Sequence, residues 1–173
     1  PEPSLEWSDA GLEGSQRFIK RFWKQVHQHL NAPAAPALQA DQLSQQQQDM
    51  RRKTHETIQK VSDDIERRTT FNTAIAAIME LSNTTAKFTD MSDQGRAVRA
   101  ESLSTAVLLM SPFTPHLCHT LWQAFSDTDA ILKTPWPAVD EGALVKSNID
   151  MMIQVNGKLR SKITIDALSL IHI

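Results

Sequence analysis

The chain has 173 residues and carries 18 lysines and arginines against 20 aspartates and glutamates, for a formal net charge of −2. Only 5 residues are glycine and 40% are hydrophobic, which argues against a collagen-like, turn-rich β or grossly disordered chain. The single cysteine, Cys118, excludes an intramolecular disulfide framework and fits a reducing compartment. No apolar run approaches the roughly 18 residues of a membrane span, and no signal peptide is recognisable. Because the chain begins at Pro1, we expect a processed chain or a piece of a longer one.

The near-neutral total conceals an uneven distribution of charge. Bases are in excess in residues 17–50, 51–68 and 146–173, whereas residues 1–16 and 89–145 are acidic. A molecule of this kind can present a local basic face to a polyanion although its net charge is close to zero.

The first predicted helix covers about residues 11–30, where apolar residues recur at helical spacing. Its apolar side is formed by Phe18, Ile19, Phe22, Trp23, Val26 and Leu30. The opposite side carries bases at i, i+3, i+4 and i+7 without an intervening acid: Arg17, Lys20, Arg21 and Lys24. Most such stripes are solvated helix faces, but the missing acids favour a contact with nucleic-acid phosphates.

A second helix is predicted from Ser44 to Arg68, after a proline- and alanine-rich linker over residues 31–43. Ser44 and Gln47 have the spacing of a capping box. The expected buried stripe is Met50, Thr54, Ile58, Val61 and Ile65. Acids precede bases by four residues in the pairs Glu56–Lys60, Asp63–Arg67 and Asp64–Arg68, so these bases are weaker candidates for RNA contact. Arg68 either ends the helix or is a partly buried partner of Asp64.

Three further helices are predicted, over residues 71–88, 94–110 and from Pro115 onward. The inward side of the third helix is expected to hold Phe71, Ala74, Ile75, Ile78 and Leu81. Pro112 ends the fourth helix, and Thr114 with Pro115 begins the fifth. The core side of the fifth helix is expected to hold Leu117, Leu121, Trp122 and Phe125. Residues 127–148 are predicted to form a loop.

The hydrophobic period changes to two after residue 148, and Asn156-Gly157 is a hairpin turn signal. A three-residue loop over 156–158 would pair Val155 with Leu159 and Met151 with Ile163, which gives one apolar face and a second face with Arg160 and Lys162. An isolated hairpin is marginally stable, so it should continue into a larger sheet.

The remaining chemical candidates are weak. His116, Cys118 and His119 lie close together on the fifth helix, but zinc takes three or four ligands and the sequence has no other Cys/His cluster. Common nucleotide-binding and catalytic motifs are missing, and the acids Asp63 and Asp64 are adjacent and so point to different helix faces. We therefore expect neither a metal site nor a catalytic site.

An ordered set of segments resembles the bacterial leucyl-tRNA synthetase family in the part that follows its catalytic core. The most characteristic runs are FNTAIAAIMEL at residues 71–81 and QVNGK at residues 154–158. The other similar segments are residues 4–24, 51–70, 108–123, 135–137 and the hairpin up to residue 163. Isoleucyl-, valyl- and methionyl-tRNA synthetases share the helical module but resemble this chain less.

The resemblance implies a mainly α fold. An antiparallel helix bundle, the anticodon-binding domain of class I aminoacyl-tRNA synthetases, would occupy residues 1–148. Residues 149–173 would be the start of a truncated α+β C-terminal domain, with a β-hairpin over 149–165. The tail 167–173 matches no family pattern, so a frameshift or a sequence junction is a possible origin.

The resemblance also implies a function. The whole enzyme would use ATP and Mg²⁺ to attach leucine to tRNA(Leu) in the cytoplasm. The HIGH-type and KMSKS-type signatures are missing, so this piece would hold tRNA without catalysing the reaction or binding a cofactor. Its partners would be tRNA(Leu) and the upstream catalytic part of the synthetase, with no membrane, and it would be a monomer. The tRNA-binding residues implied are Arg17, Lys20, Arg21, Lys24, Arg51, Arg52, Arg67, Arg68, Asn72, Lys158 and Arg160.

Other interpretations stay open at the level of sequence. The chain could be a stand-alone helical protein–protein interaction module, or the equivalent domain of an isoleucyl- or valyl-type synthetase. A small enzyme that uses His116 and His119 is a third alternative. The first predicts negligible tRNA binding, and the third predicts a stoichiometric metal ion.

Overall fold

The structure is a computed structural model that describes residues 9–125, 130–145, 148–155 and 158–166. Side chains are described for residues 9, 11–125 and 130–145. The helices are α1 Asp9–Leu30, α2 Gln45–Glu66, α3 Phe71–Lys87, α4 Asp93–Met110, α5 Pro115–Phe125 and α6 Glu141–Leu144. The strands are β1 Asn148–Val155 and β2 Lys158–Asp166, and short 3-10 turns occupy Ala40–Gln42 and Ile131–Lys133. No helix in these ranges is both long enough and apolar enough to cross a membrane.

Local side-chain chemistry sets where the helices begin. Ser44 Oγ accepts a hydrogen bond from the Gln47 backbone N–H, and the Gln47 side chain accepts one from the Ser44 N–H. The predicted capping box is therefore confirmed, and it satisfies two donors that a helix start leaves free. Ser92 caps α4 in the same way, by accepting from the N–H of Gly95 at 3.1 Å.

The hydrophobic core lies where α1 and α2 pack against α3 and α4, with α5 closing one side. Phe22 and Val26 of α1 are completely buried there, as are Ile58 of α2, Ile78 of α3 and Val98 of α4. Burying one such side chain contributes about 1.5–3 kcal/mol. Connections of four or five residues join α2 to α3, α3 to α4 and α4 to α5. Short connections favour antiparallel neighbours, so consecutive helices form a bundle.

Two expectations about buried faces and loops are wrong. Phe71, predicted to face inward, is the first residue of α3 and is half exposed, with its ring edge 6.1 Å from that of Phe113. The predicted loop over 127–148 contains a 3-10 turn that buries Ile131, and it contains α6. Both elements are too short for a hydrophobic period to reveal them.

The predicted pairing of Arg68 with Asp64 is also wrong. Helix α2 ends at Glu66, so Arg68 lies beyond the helix and its guanidinium contacts Asp63 Oδ2 at 2.8 Å. The buried Asp64 instead accepts from Lys60 Nζ at 3.0 Å and from Thr70 Oγ1 at 3.3 Å. The next residue, Thr69, has a φ of +52°, the left-handed region that a β-branched residue rarely adopts.

Strands β1 and β2 pair antiparallel. Met151 lies opposite Ile163, as the three-residue loop predicts, but Val155 lies opposite Lys158 rather than Leu159. The register shifts between Ile153 and Gln154, where a bulge absorbs one residue. The loop prediction is therefore wrong next to the turn and right beyond the bulge. The turn residues 156–157, the tail 167–173 and the two hairpin side-chain faces lie outside the described residues.

Candidate nucleic-acid interface

The basic stripe of α1, defined by Arg17, Lys20, Arg21 and Lys24, is exposed along its whole length. Residues on the other side of the helix, among them Phe18, Phe22 and Val26, are buried in the core, so the stripe is fixed facing outward. None of its four bases has an ion-pair partner among the residues that the structure describes. The stripe therefore presents uncompensated positive charge to solvent.

Arg51, near the start of α2, is in a different situation. Its guanidinium bonds Glu101 of α4 at 3.1 Å and Asp140 at 2.7 Å, and only 11% of its side chain is exposed. Burial opposes the charge on Arg51, but the two carboxylates outweigh it and raise the pKa. His55 completes the network: its Nδ1 accepts from the Asp140 backbone N–H, and its Nε2 lies 3.2 Å from Glu101. Arg51 thus ties α2 to α4 and to the start of α6.

The other predicted tRNA-binding bases of α2 also have acidic partners. Arg52 contacts Asp49 and Glu56 on its own helix. Arg67 and Arg68 share Asp63, although both are well exposed. Asn72 is exposed in the first turn of α3. Lys158 and Arg160 lie on β2, and their side chains fall outside the described residues.

A cavity of about 410 Å³ opens between α1, α3 and α4, and we call it the basic groove. Its charged and titratable lining is Arg21, Lys24, His29, Arg96 and Arg99, and no carboxylate lines it among the described residues. Because Arg21 and Lys24 belong to the stripe of α1, the groove extends the same positive surface onto α4. Sequence reasoning found the α1 half of this surface and missed the α4 half.

Both α4 arginines are held in place by backbone carbonyls. Arg99 donates to the carbonyl of Phe88, the C-cap of α3, and its guanidinium lies 5.7 Å from the centre of the Phe88 ring. Arg96 donates to the Met91 carbonyl at 3.0 Å and to Asp93 Oδ1 at 2.7 Å. Burial lowers the pKa of Arg99, and the nearby Asp90 carboxylate acts in the opposite direction.

The groove wall is also fixed between α1 and α3. Gln25 donates to the Ser82 carbonyl at 3.1 Å, and the Ser82 hydroxyl donates back to the Gln25 side chain at 2.9 Å. Burial lowers the pKa of His29, and the positive charge of Arg99 lowers it further. The imidazole is therefore kept neutral at pH values where a free histidine is partly charged.

A second cavity, of about 450 Å³, lies along the C-terminal half of α2, and we call it the balanced groove. Its charged lining is Glu56, Lys60, Asp63, Asp64, Arg67 and Arg68. Hydrogen bonds from Thr73, Lys60 and Thr70 lower the pKa of Asp64, although burial opposes this. Each base of this groove therefore has an acid within reach, and the groove offers little net charge to a polyanion.

The histidine–cysteine group of α5 is not arranged as a metal site. His116 is exposed, whereas Cys118 is buried, and its Sγ lies 3.4 Å from Thr114 Oγ1. Burial raises the pKa of the Cys118 thiol to about 11. Among the described residues, no group of three or more His, Cys, Asp or Glu side chains is placed to hold a metal ion.

Comparisons with known proteins agree with this picture of the surface. The sequence profile described as "Anticodon-binding domain of tRNA ligase" matches residues 47–172. The chain is 55% identical over 167 residues to leucine–tRNA ligase of Marinobacter nauticus, covering 96% of this chain and 19% of that protein. It is 56% identical over 167 residues to leucine–tRNA ligase of Thioalkalivibrio sulfidiphilus, covering 96% of this chain and 20% of that protein.

A solved structure gives a similar result. The fold matches the LeuRS chain in the crystal structure of the ternary complex of Agrobacterium radiobacter K84 agnB2 LeuRS, tRNA and LeuAMS, with a TM-score of 0.77 and 28% identity. The match covers 96% of this chain and 22% of that one. The chain thus spans about a fifth of the length of the curated relatives it matches. It belongs to the family of anticodon-binding domains of tRNA ligases.

Proposed function

We propose that this chain is the tRNA-holding part of a leucine–tRNA ligase. The observation that carries the proposal is the stripe of α1: four exposed bases on one helix face with no acidic partner among the described residues. Double-helical RNA attracts such a surface through its phosphates, because each neutralised phosphate releases condensed counterions. Membership of the anticodon-binding family and high identity to leucine–tRNA ligases support tRNA(Leu) as the ligand.

The reaction would belong to the rest of the enzyme. The complete ligase would attach leucine to tRNA(Leu) with ATP and Mg²⁺ in the cytoplasm, and the upstream part of the synthetase would supply the catalytic groups. Residues of this chain would hold and orient the tRNA, as a monomer, and no step is assigned to them in the transfer of leucine. Phosphate contacts of this kind position a nucleic acid without reading its sequence.

We also propose a domain boundary near residue 148. Residues 1–148 would form the tRNA-holding bundle, and β1 with β2 would open the α+β C-terminal domain over 149–173. A two-stranded sheet alone is marginally stable, which supports further strands as its partners in the whole enzyme. Lys158 and Arg160 on β2 and the exposed Asn72 would be secondary contacts. Arg51 would act in folding rather than in binding, because Glu101 and Asp140 occupy its guanidinium.

The test is the affinity of the chain for a leucine tRNA transcript after charge reversal on α1. The triple variant Lys20→Glu, Arg21→Glu and Lys24→Glu should weaken binding by at least about 30-fold at 0.1 M salt, since three phosphate contacts become repulsions. The control variant Arg67→Glu with Arg68→Glu should weaken binding less than about 5-fold, because Asp63 already compensates these bases. Unchanged affinity in the α1 triple variant would contradict the proposal. Negligible tRNA binding by the unmodified chain would favour a protein–protein interaction module instead.

A further inference from the structure

The basic groove has more hydrogen-bonding capacity than the protein uses. The Nε atoms of Arg96 and Arg99 and the Nδ1 atom of His29 are buried and have no hydrogen-bond partner among the described residues. All three residues line the same cavity. A buried polar atom without a partner costs about 1–3 kcal/mol, so three of them at one cavity call for an explanation outside the protein's own bonds.

The two arginines are also held in fixed positions before any ligand arrives. Arg99 is anchored through the Phe88 carbonyl and lies over the Phe88 ring, and Arg96 is anchored through the Met91 carbonyl and Asp93. These anchors occupy their terminal nitrogens and leave Nε free. A guanidinium held in this way loses little conformational entropy when it binds an oxyanion.

The charge of the lining points to an anion. Arg21 and Lys24 stand at the α1 side of the groove, exposed and without an acidic partner among the described residues. Asp93 partly neutralises Arg96, and Asp90 acts on Arg99 from outside the lining, so Arg21 and Lys24 supply the excess. A volume of about 410 Å³ accommodates a phosphate group together with part of its ribose.

We infer that the basic groove is a discrete phosphate pocket that takes a phosphodiester group of the bound RNA between α1 and α4. The inference rests on the proposed function and deepens it, because it adds Arg96 and Arg99 of α4 to the RNA-contacting surface. Arg96 and Arg99 donate through Nε to the phosphate oxygens, while Arg21 and Lys24 hold the neighbouring backbone. Inorganic phosphate shares the chemistry of this site and binds it far more weakly, since it lacks the neighbouring phosphates.

The experiment records the arginine Nε–H resonances of the ¹⁵N-labelled chain during titration with a leucine tRNA transcript and, separately, with inorganic phosphate. The Nε–H signals of Arg96 and Arg99 should shift with tRNA at stoichiometric amounts and with phosphate only at millimolar concentration. Arg96→Gln with Lys24→Gln should weaken tRNA binding about 10-fold, because two charged contacts are lost. The control Lys87→Gln removes an exposed base of α3 outside the groove lining and should weaken binding less than about 3-fold.

The outcomes separate the inference from the proposed function. If tRNA binds while the Arg96 and Arg99 signals stay in place, the phosphate pocket is contradicted and the proposed function stands. If phosphate shifts the signals but tRNA does not, the groove serves a free anion and the RNA assignment is overturned. If tRNA does not bind at all, the proposed function fails, and the phosphate titration alone then decides whether the groove binds an anion. A melting temperature of the double variant close to that of the unmodified chain verifies folding.

Discussion

The basic groove and the balanced groove have similar volumes and are both rich in arginine and lysine, yet they differ in available charge. The basic groove has four bases and no carboxylate in its described lining. The balanced groove has three bases and three acids. A count of bases along the sequence would rank the C-terminal half of α2 beside α1. The difference teaches that a polyanion responds to uncompensated charge, which depends on where the acids lie after folding.

The largest expected effect tests whether α2 arginines serve the fold. Arg51→Met keeps most of the aliphatic stem but leaves Glu101 without its ion partner, so the free energy of unfolding should fall by about 2–3 kcal/mol. Arg52→Met is the matched control, since its partners Asp49 and Glu56 are half exposed, and it should cost less than about 1 kcal/mol. Urea unfolding followed by circular dichroism measures both. Equal losses in the two variants would remove the distinction between a bridging and a surface arginine.

A smaller effect should separate the two grooves by pH. The pKa of His29 is lowered from 6.5 in the folded protein, so the unfolded chain binds more protons and stability falls as the pH drops below about 6.5. The pKa of Asp64 is lowered from 3.8, so its contribution is present above about pH 4 and is lost at lower pH. Unfolding free energies between about pH 8 and 3 should therefore decline in two stages. His29→Gln should remove the first stage and leave the second; retention of the first stage would show that another group causes it.

The smallest expected effect concerns the turn that follows α2. Thr69 has a φ of +52°, so Thr69→Gly relieves a strained backbone and should stabilise the protein by about 0.5–1 kcal/mol, despite the loss of the hydroxyl bond to the Arg68 carbonyl. Binding of tRNA should not change, because the turn belongs to the balanced groove. Thermal unfolding and a tRNA titration measure the two quantities. A weaker affinity would place this turn in the RNA interface and blur the contrast between the grooves.

Much of the bundle is predictable from the sequence, because its helices are long and amphipathic and α2 begins with a recognisable capping box. The stripe of α1 is predictable for the same reason, since all of its bases lie on one helix. Local patterns failed where the chain leaves the helix: Arg68 could not pair with Asp64 once α2 had ended at Glu66. Phe71 was misplaced because a residue at the first position of a helix need not point to the core.

The α4 half of the basic groove could not be predicted from a single helix. Arg96 has an acid three residues earlier, Asp93, which makes it resemble an ordinary surface pair. Arg99 has no acid three or four residues away, and this was the one local signal that could have drawn attention to it. Their position beside Arg21 and Lys24 depends on how α1 packs across α3 and α4. The pairing of Arg51 with Asp140 is likewise a long-range contact, 89 residues apart.

The most direct test of the central claim is the salt dependence of tRNA binding in two matched variants. Lys20→Gln with Lys24→Gln and Arg67→Gln with Arg68→Gln each remove two positive charges, one pair from the stripe of α1 and one from the balanced groove. In a plot of log K against log salt concentration, the α1 variant should lower the slope by about 2, at roughly one per phosphate contact, and the α2 variant by less than about 0.5. Equal changes of slope in the two variants would contradict the claim that only uncompensated bases hold the tRNA.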